Sequence, residues 1–406
     1  MPGPLSHIRV LDLSRIMAGP WTGQMLADLG ADVIKVERPG VGDDTRTWGP
    51  PFLPDREGNP TNNSGYYLSV NRGKRSITVD LSVPEGQEIV RSLAARSDIL
   101  LENYKLGTLA KLGLGYSDLS SINPRLIYAS VSGFGQNGPR SNNVAYDFMI
   151  QAMCGLMSVT GESDGRPGGG PQKVGVPIID IMTGMYAAVA VLAALARREQ
   201  TGSGDFIDIA MLDVGVGFLA NQAMNYLVSG NMPKRTGNRH PNIQPQDVFP
   251  CRSGHIVLAC GNDSQFARFC AVIGREEMAT DERFSTNKAR VGNLDVLWPM
   301  IQEALAQRDA SDWVAALDAA GVPAGPINMI PEILQDPQIQ HRQMVRHIPH
   351  PAAGTVPQVV SPMRFQESEL SFGTPPPMLG EHTETILREL GFESAQIDAL
   401  KARGAV

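Results

Sequence analysis

Short apolar runs that alternate with helical segments constrain the fold of this chain more than any other sequence feature. Residues 8–13, IRVLDL, are typical of a buried strand, residues 21–29, WTGQMLADL, of a helix, and residues 31–37, ADVIKVE, of a second strand. The same order continues through RLIYASVSG at 125–133 and FIDIAMLD at 206–213. Such an order predicts an α/β fold with a mostly parallel sheet, helices on both faces and ligand sites at the carboxyl ends of the strands.

The turn that follows the first strand argues against a nicotinamide cofactor. Glu37 ends the second strand, where a dinucleotide-binding fold places the acid that binds the ribose. The first turn, however, offers only Ala18, Gly19 and Pro20, without the G-x-G-x-x-G pattern that lets a pyrophosphate approach the helix. An NAD-dependent enzyme is therefore disfavoured.

The composition favours a protein that binds small molecules. The chain has 42 acidic and 35 basic residues, a formal net charge of -7, and no Lys- and Arg-rich run that would bind nucleic acid. Its four cysteines lack CxxC spacing and its histidines do not pair at metal-ligand spacing, so we expect no metal site and no disulfide framework. No signal peptide is visible at the start of the sequence, and we expect a cytoplasmic protein that binds neither membrane nor nucleic acid.

The length of 406 residues exceeds what one hydrophobic core usually supports, so we expect two domains. Residues 1–220 hold the alternating pattern and form the predicted large domain. Residues 225–330, which combine hairpin-like strands with amphipathic helices, form a smaller α+β domain. Residues 331–406 are rich in proline up to residue 380, which is typical of a return linker, and end in two short helices.

An apolar run of helical length, residues 173–201, carries a single acid near its start, Asp180. The apolar positions recur at helical spacing, and two arginines precede Gly202, as at the end of a helix. A membrane span is the rival interpretation, but Pro177 and Asp180 at the head of the run favour a core helix of a soluble protein. Because burial of an unpaired carboxylate is costly, Asp180 should cap this helix, pair with a cation or lie exposed at a cleft. The run alone does not decide between a helix cap and a catalytic group.

A loop rich in glycine and proline follows Glu37 and carries Arg38 and Arg46. Cations in such a loop suit the phosphate or carboxylate groups of a ligand. The alternative is a solvated loop in which the arginines have no ligand.

Six segments follow one another along most of the chain: IRVLDLSRIMAGPWTGQMLADLGADVIKVERPGVGDDTR, NRGKRSITVDL, LIYASVSGFGQNGP, AYDFMIQAMCGLMSVTG, VGVPIIDIMTGMYAAVAVLAAL and LGEHTETIL. In this order and spacing they resemble the class III CoA-transferase family, which includes formyl-CoA and carnitine CoA-transferases. The resemblance implies a Rossmann-like large CoA-binding domain built from both ends of the chain, so that residues 331–406 rejoin it, and an interlocked homodimer. It also implies an acyl-CoA and a carboxylic acid as substrates, with no permanently bound cofactor.

The resemblance gives Asp180 the role of the family's nucleophile. A carboxylate can attack a donor thioester, expel the CoA thiolate and hold the acyl group as a mixed anhydride. Two departures from the formyl-CoA enzyme make oxalate and formyl-CoA an unexpected substrate pair: Val144 replaces a basic residue, and residues 220–262 contain no GGGGQ loop. The positions that match the family's CoA site are Met17, Ala18, Arg38, Asn103, Tyr104 and Lys111.

Tyr146 separates two activities that occur within the family. The α-methylacyl-CoA racemases have a histidine base at this position, whereas tyrosine is a poor base near neutral pH. The segments around Asp147 and Asp180 resemble most the succinyl-CoA-dependent members that accept dicarboxylates such as glutarate. We therefore predict transfer of CoA from succinyl-CoA to a dicarboxylate, with Tyr146 and Asp147 on the substrate side of the site. Candidate anchors for the distal carboxylate are Arg46, Lys173, Arg239 and His240.

Two other functions stay open at this stage. One is a racemase-like isomerase of branched acyl-CoA esters, and the other is a CoA-binding protein without catalytic activity. Transfer of CoA to a carboxylic acid separates the first prediction from both.

Overall fold

The computed structural model describes residues 3–406, which divide into two compact units. The larger unit contains residues 3–156, 174–223 and 338–406, and the smaller unit contains residues 157–173 and 224–337. The sequence boundary at residue 220 placed 157–173 in the large domain. These residues belong instead to the smaller unit, where Gly161 accepts a hydrogen bond from the amide of Gly237 and the Ser163 hydroxyl donates to the carbonyl of Arg235.

The strands, in chain order, are β1 (Arg9–Asp12), β2 (Asp32–Glu37), β3 (Phe52–Pro54), β4 (Pro60–Ser64), β5 (Lys74–Thr78), β6 (Ile99–Glu102), β7 (Ile127–Ser132), β8 (Asp205–Ala210), β9 (Gln246–Pro250), β10 (His255–Ala259), β11 (Ala324–Pro326), β12 (Val345–His350) and β13 (Gly354–Val359). The helices are α1 (Ala18–Asp28), α2 (Gly65–Leu68), α3 (Pro84–Ala94), α4 (Thr108–Lys111), α5 (Tyr116–Ile122), α6 (Asp147–Met153), α7 (Leu156–Val159), α8 (Ile178–Thr201), α9 (Met211–Phe218), α10 (Ala220–Ser229), α11 (Asp263–Val272), α12 (Glu277–Thr280), α13 (Asn287–Gly292), α14 (Leu294–Leu305), α15 (Ala310–Ala319), α16 (Ile330–Gln335), α17 (Pro337–His341), α18 (Thr383–Leu390) and α19 (Ser394–Ala402). A 3₁₀ turn spans Asp44–Thr47.

A six-stranded sheet organises the larger unit, with the order β5-β2-β1-β6-β7-β8 and parallel pairing throughout. Leu11 of β1 pairs with Ile34 on one side and with Leu100 on the other, and all three side chains are fully buried. Continuous apolar strands suit a parallel sheet that is covered on both faces. The strand order reverses between β1 and β6, where a Rossmann-like sheet opens a crevice at its carboxyl edge.

The last segment of the chain is part of the core of the larger unit. Ile386 and Leu387 of α18 and Ile397 of α19 pack in one buried cluster with residues of the sheet. The backbone also joins them, because the amide of His382 donates to Ser76 and the amide of Asp80 donates to Ala405, both at 2.9 Å. The α/β class predicted from the sequence is confirmed by this architecture.

Helix α8 is a core helix that packs against α1, α9 and the strands β7 and β8. It approaches α1 closely at Gly184, where an added Cβ atom would lie 2.6 Å from the carbonyl oxygen of Ala18. Thr22 of α1 donates its hydroxyl to the carbonyl of Gly184 at 3.0 Å. Within residues 3–406 α8 is also the helix whose length and composition would allow a membrane span, a test that core helices of soluble proteins pass as well.

The smaller unit has an antiparallel sheet of order β11-β10-β9, packed with helices α11 to α15 around its own core. Phe249 of β9, Phe266 of α11 and Trp313 of α15 are each at most 2% exposed in this core. Strands and helices thus occur together within residues 225–330.

The Pro-rich residues 331–380 are more structured than the predicted linker. They include α16 and α17 and the antiparallel hairpin of β12 and β13, which pairs Ile348 with Val356. Ile348 and Val356 pack with Leu53 in a small buried cluster. The strands were missed because a proline within a segment usually argues against a strand. Pro349 and Pro357 are tolerated here because each strand of a two-stranded hairpin has a free edge.

Candidate active site

The loops that follow β1 and β6 are joined directly at the point where the strand order reverses. Asn103, just after β6, accepts a hydrogen bond from the amide of Arg15 at 2.9 Å and donates to the carbonyl of Arg15 at 2.7 Å. The side-chain amide of Asn103 therefore pairs with both backbone polar groups of Arg15, as a neighbouring strand would. The structure shows that Asn103 fixes the shape of this loop, while its predicted contact with CoA stays a prediction.

Ile16, the next residue of this loop, has a left-handed backbone with φ of 74°, which is strained for a β-branched residue. Its amide points at the carboxylate of Asp43, 3.3 Å from each oxygen. Asp43 is itself held by the ammonium group of Lys35 at 2.8 Å, and both side chains are buried. Desolvation and the Lys35 charge act on Asp43 in opposite directions, and the balance lowers the pKa of its carboxyl group.

A cavity of about 480 Å³ opens beside this loop and contains Asp180. Parts of the loops after β1, β6 and β7 line it, as expected for a ligand site at the carboxyl edge of a parallel sheet. Met17, Ala18, Asn103, Tyr104 and Tyr146, all predicted site residues, lie in its wall with Asp180. The lining residues that the sequence did not single out include Arg15, Lys105, Ser132, Gly133, Ser141 and Asn143.

Asp180 lies in the first turn of α8, and its carboxylate is the acidic group of this cavity. Burial, and secondly the negative charge of Asp147, raise the pKa of Asp180 to about 7. Burial, and then the charges of Asp180 and Asp147, raise the pKa of Tyr66 to about 12, so the phenol of α2 also belongs to these surroundings. A carboxylate with high proton affinity is a better nucleophile than an ordinary aspartate and is still substantially ionised near neutral pH.

Asp147 holds the amino end of the helix that carries Asp180. One of its oxygens accepts the amides of Ile179 at 2.7 Å and of Asp180 at 3.1 Å. The other accepts the side-chain amide of Gln151 at 2.5 Å. We predicted Asp147 as a substrate contact, but the residue is only 9% exposed and its carboxylate is engaged by the protein's own amides, so it is a capping residue.

Tyr146 precedes Asp147 and is 60% exposed in this chain. It has an extended backbone at the start of α6 and lines the Asp180 cavity. Its prediction as a residue on the substrate side is consistent with this position.

A second cavity, of about 250 Å³, lies beyond the loop after β2. Arg38 lines it, together with the stretch 79–82 that follows β5, while Arg15 and Tyr104 line both cavities. The guanidinium of Arg15 lies over the Tyr104 ring at 5.0 Å. The two cavities therefore adjoin, as a long ligand such as a CoA thioester requires. Lys111, predicted for the same ligand, is exposed at the end of α4 and lines neither of them.

The prediction that Arg46 anchors a substrate carboxylate is wrong. The side chain is 1% exposed, and its nitrogens bind Glu37 twice at 2.7 Å, Asn63 at 2.5 Å and Tyr67 at 2.6 Å. Its guanidinium lies 3.8 Å from the centre of the Tyr67 ring. Arg46 is thus a structural residue that ties the loop after β2 to the sheet.

The other predicted anchors, Lys173, Arg239 and His240, belong to the smaller unit. Arg239 pairs with Asp247 at 3.1 Å and stacks over Trp298 at 5.2 Å. His240 uses its Nδ1 atom to accept the amides of Asn242 and Ile243, both at 3.1 Å. Lys173 is exposed. Their roles as anchors stay predictions.

Sequence reasoning missed Arg15, Lys105 and Gln151. Arg15 and Lys105 follow the carboxyl ends of β1 and β6 by three residues each, and this position alone could have identified them. Gln151 had no such signal, because a glutamine inside an amphipathic helix gives no indication of its partners. Among residues 3–406 no group of three or more metal-ligating side chains could hold a metal ion.

Comparison with known proteins agrees with this geometry. The family model described as CoA-transferase family III matches residues 5–383. The succinate–glutarate CoA-transferase of Agrobacterium fabrum is 47% identical over 387 residues, which cover 95% of this chain and 96% of the relative. The human succinyl-CoA:glutarate CoA-transferase is 40% identical over 404 residues, covering 99% and 90%.

A solved structure is similar as well. The crystal structure of a CAIB/BAIF family protein from Brucella suis matches with a TM-score of 0.84 at 48% identity and covers 96% of this chain and 100% of its own. The family match spans most of the chain, and both relatives are more than a third identical along nearly their whole length. The chain belongs to CoA-transferase family III.

Proposed function

We propose that this protein is a CoA-transferase that moves CoA from succinyl-CoA to a dicarboxylic acid such as glutarate, with Asp180 as the nucleophile. The observation that carries the proposal is the half-buried carboxylate of Asp180, with a pKa raised to about 7, in the wall of a cavity that adjoins the cavity lined by Arg38. The choice of donor and acceptor rests on the glutarate CoA-transferases from Agrobacterium fabrum and Homo sapiens.

The reaction begins when an Asp180 oxygen attacks the thioester carbonyl of succinyl-CoA. The C–S bond breaks, the CoA thiolate leaves, and succinate is held as a mixed anhydride with Asp180. The thiolate then attacks the Asp180 carbonyl of this anhydride, which releases succinate and leaves CoA as a thioester of Asp180. Each step exchanges one acyl bond for another and transfers no proton.

The second half reverses these steps with the acceptor. A carboxylate oxygen of the dicarboxylic acid attacks the Asp180 thioester, and the thiolate leaves again. The thiolate then attacks the acceptor carbonyl of the new anhydride, which forms the acceptor's CoA ester and restores the Asp180 carboxylate. Because no general base is needed, a tyrosine at position 146, where the racemases have a histidine, suits this chemistry.

The position of Asp180 supports the charges that develop. The first amides of α8 are engaged, since Ile179 and Asp180 donate to Asp147 and Ile181 donates to Pro177, but the amino end of α1 begins at Met17 and Ala18 in the same cavity wall. The partial positive charge at the amino end of α1 favours the oxyanions of the tetrahedral intermediates and the leaving thiolate. Burial also protects the anhydride from water.

Replacement of Asp180 by alanine tests the proposal. The variant should lose transfer from succinyl-CoA to glutarate by about 10⁴-fold or more, while its affinity for CoA stays within about threefold. The new CoA ester is detected by mass spectrometry, and Asp398→Asn, at an exposed aspartate of α19, serves as the control. If the rate of CoA transfer by Asp180→Ala is within about tenfold of that of the original chain, Asp180 is not the nucleophile.

Oxygen labelling tests the covalent route directly. Glutarate labelled with ¹⁸O should pass one label to the Asp180 carboxylate, which a mass spectrum of the corresponding peptide detects. A direct attack of glutarate on succinyl-CoA would leave Asp180 unlabelled, and that result would overturn the anhydride mechanism.

We also propose that the protein is a homodimer whose two chains interlock. Exposed apolar side chains on α6 and α8 support a partner surface, because such a patch is uncommon on a monomer. They are Phe148, Met149, Met153, Met185, Tyr186, Val189 and Leu192, each at least 38% exposed. Light scattering should give twice the mass of one chain, and tagged and untagged copies should exchange only after unfolding; a monomer at micromolar concentration would contradict the dimer.

A further inference from the structure

Gln151 links three segments around the nucleophile. It lies on α6, one helical turn after Asp147, and is completely buried. Its Nε2 atom donates to Asp147 at 2.5 Å, and its Oε1 atom accepts the amide of Val174 at 2.9 Å. Val174 starts the segment that leads into α8. One glutamine thus connects α6, the approach to α8 and the residue that caps α8.

The contact with Val174 determines which way the Gln151 amide points. A backbone amide can only donate, so the oxygen of Gln151 must face Val174, and its NH₂ group must then face Asp147. Asp147 consequently meets three donors: the NH₂ group of Gln151 and the amides of Ile179 and Asp180. A carboxylate satisfies all of these contacts, whereas a carboxylic acid would direct its own proton at a donor.

Asp147 caps the amino end of α8, because the residue that precedes the helix cannot. The residue before the helix is Pro177, whose side chain has no acceptor. With the amides of Ile179 and Asp180 taken by Asp147, the Asp180 carboxylate does not need to fold back onto its own helix end. Asp180 instead lines the cavity, where its carboxylate can meet a thioester carbonyl as a nucleophile.

We propose that Gln151 is a positioning residue for the transfer reaction: it holds Asp147 as a carboxylate against the amino end of α8, and thereby sets both the place and the reactivity of Asp180. This inference rests on the proposed role of Asp180. Gln151 lines neither cavity and acts through Asp147 and Val174.

Two replacements separate this role from simple packing. Gln151→Met keeps the volume and removes both hydrogen bonds, so Asp147 loses the donor that orients it. We expect kcat to fall about 10- to 100-fold above about pH 8, where Asp180 is ionised in both proteins, with KM for succinyl-CoA changed less than about threefold. Gln307→Met, at an exposed glutamine of the smaller unit, is the control and should leave both constants unchanged.

Gln151→Glu adds a signature that packing does not predict. At low pH the glutamic acid can still accept from Val174 and donate its proton to Asp147, as the glutamine does. As the pH rises, the side chain of the new glutamate ionises beside Asp147. The two carboxylates then repel each other, and the contact between residue 151 and Asp147 is lost. The activity of Gln151→Glu divided by that of the original chain should therefore be close to one at about pH 5.5 and at least about tenfold lower at about pH 8.5.

The titration of Asp180 provides a readout that needs no turnover. The ionisable groups around it are Asp147 on α6 and Tyr66 on α2, together with those of the cavity wall: Arg15, Tyr104, Lys105 and Tyr146. Loss or displacement of the Asp147 charge in Gln151→Met should move the Asp180 titration to lower pH by about one unit. Carboxyl ¹³C NMR follows the titration of Asp180, whose signal is identified by its absence from the spectrum of Asp180→Asn.

The outcomes are distinct. A Gln151→Met variant with kcat within about threefold of the original chain and an unshifted Asp180 titration would overturn the positioning role. If the original chain transfers no CoA to any dicarboxylate, the proposed function fails, while the Asp180 titration in the two Gln151 variants still decides the role of Gln151.

Discussion

Glu37 and Arg46 form a buried ion pair in which both carboxylate oxygens face the guanidinium, with Nε and Nη2 of Arg46 each 2.7 Å from an oxygen of Glu37. The pair joins the end of β2 to the 3₁₀ turn that begins one residue after Asp43. Since Asp43 accepts the amide of Ile16, the pair supports the loop that lines the Asp180 cavity without reaching the cavity itself. The two side chains therefore belong to the framework of the site.

Replacing Arg46 by methionine should destabilise the protein by about 3–5 kcal/mol, because Glu37 is left as an unpaired buried charge. The double variant Glu37→Gln with Arg46→Met should recover a large part of this loss. Urea unfolding measures the free energy, and Arg56→Met, at an exposed arginine, is the control. A rise in KM for glutarate without loss of stability would instead restore Arg46 as a substrate anchor.

Replacing Gly184 by alanine should disturb the site by a small movement of α8. The new Cβ would lie 2.6 Å from the carbonyl oxygen of Ala18 and 3.1 Å from Cβ of Trp21, and a backbone oxygen cannot move aside as a side chain does. We expect a loss of about 1–3 kcal/mol in stability and at least about tenfold in kcat. Gly217→Ala on α9, where the new Cβ meets nothing within 4 Å, should lose neither. Equal behaviour of the two variants would contradict the close contact of α1 and α8.

The pH dependence of the reaction should follow the ionisation of Asp180. The raised pKa, about 7, means that the nucleophile is protonated and inactive at lower pH. We expect kcat/KM for succinyl-CoA to be level above about pH 8 and to fall about tenfold per unit below about pH 6. A profile that stays level down to about pH 5 would show that Asp180 titrates like an ordinary aspartate.

Replacing Asp180 by asparagine should stabilise the protein, and more so at high pH. The pKa of Asp180 is about 7 in the folded state, whereas the ordinary value for an aspartate is 3.8. Between these two pH values the folded state binds the proton and the unfolded chain does not. The free energy of unfolding of the original chain therefore falls as the pH rises through this range. The gain should be about 2–4 kcal/mol at pH 8 and about 1 kcal/mol at pH 4.5. Urea unfolding at the two pH values measures it. A gain independent of pH would mean that desolvation of the charge is not its cause.

Replacing Arg38 by glutamine should weaken the binding of CoA. Arg38 is exposed in the wall of the smaller cavity, and we expect about a tenfold rise in the Kd for CoA with kcat changed less than about twofold. Isothermal titration measures the Kd for CoA and for pantetheine, which lacks the nucleotide part of CoA. The comparison shows whether Arg38 contacts that nucleotide part. If Arg38→Gln weakens pantetheine as much as CoA, the arginine does not meet the nucleotide end.

The elements that depend on local patterns were predictable from the sequence. The first two strands, predicted at 8–13 and 31–37, are observed at Arg9–Asp12 and Asp32–Glu37, because continuous apolar runs bounded by turn residues leave few alternatives. The place of Asp180 at the head of a long helix was also predicted, and α8 confirms it. These features need no knowledge of a distant partner.

The features that depend on a distant partner were not predictable. Arg46 was taken for a ligand anchor because nothing in a Gly- and Pro-rich loop indicates that Glu37 will pair with it. Asp147 was placed on the substrate side, since its partners in α8 lie more than thirty residues away. In both cases the residue type indicated a charged contact, but the identity of the contact is a property of the tertiary structure.

The packing of α18 and α19 into the sheet has a consequence for the order of events on the ribosome. Ile386, Leu387 and Ile397 complete the same cluster as Ile34 and Leu100, so the larger unit lacks part of its core until the last helices emerge. Most of the smaller unit, residues 224–337, leaves the ribosome earlier as one uninterrupted stretch. The strands that carry the active-site loops therefore keep part of one apolar face uncovered in the nascent chain until α18 and α19 have been made.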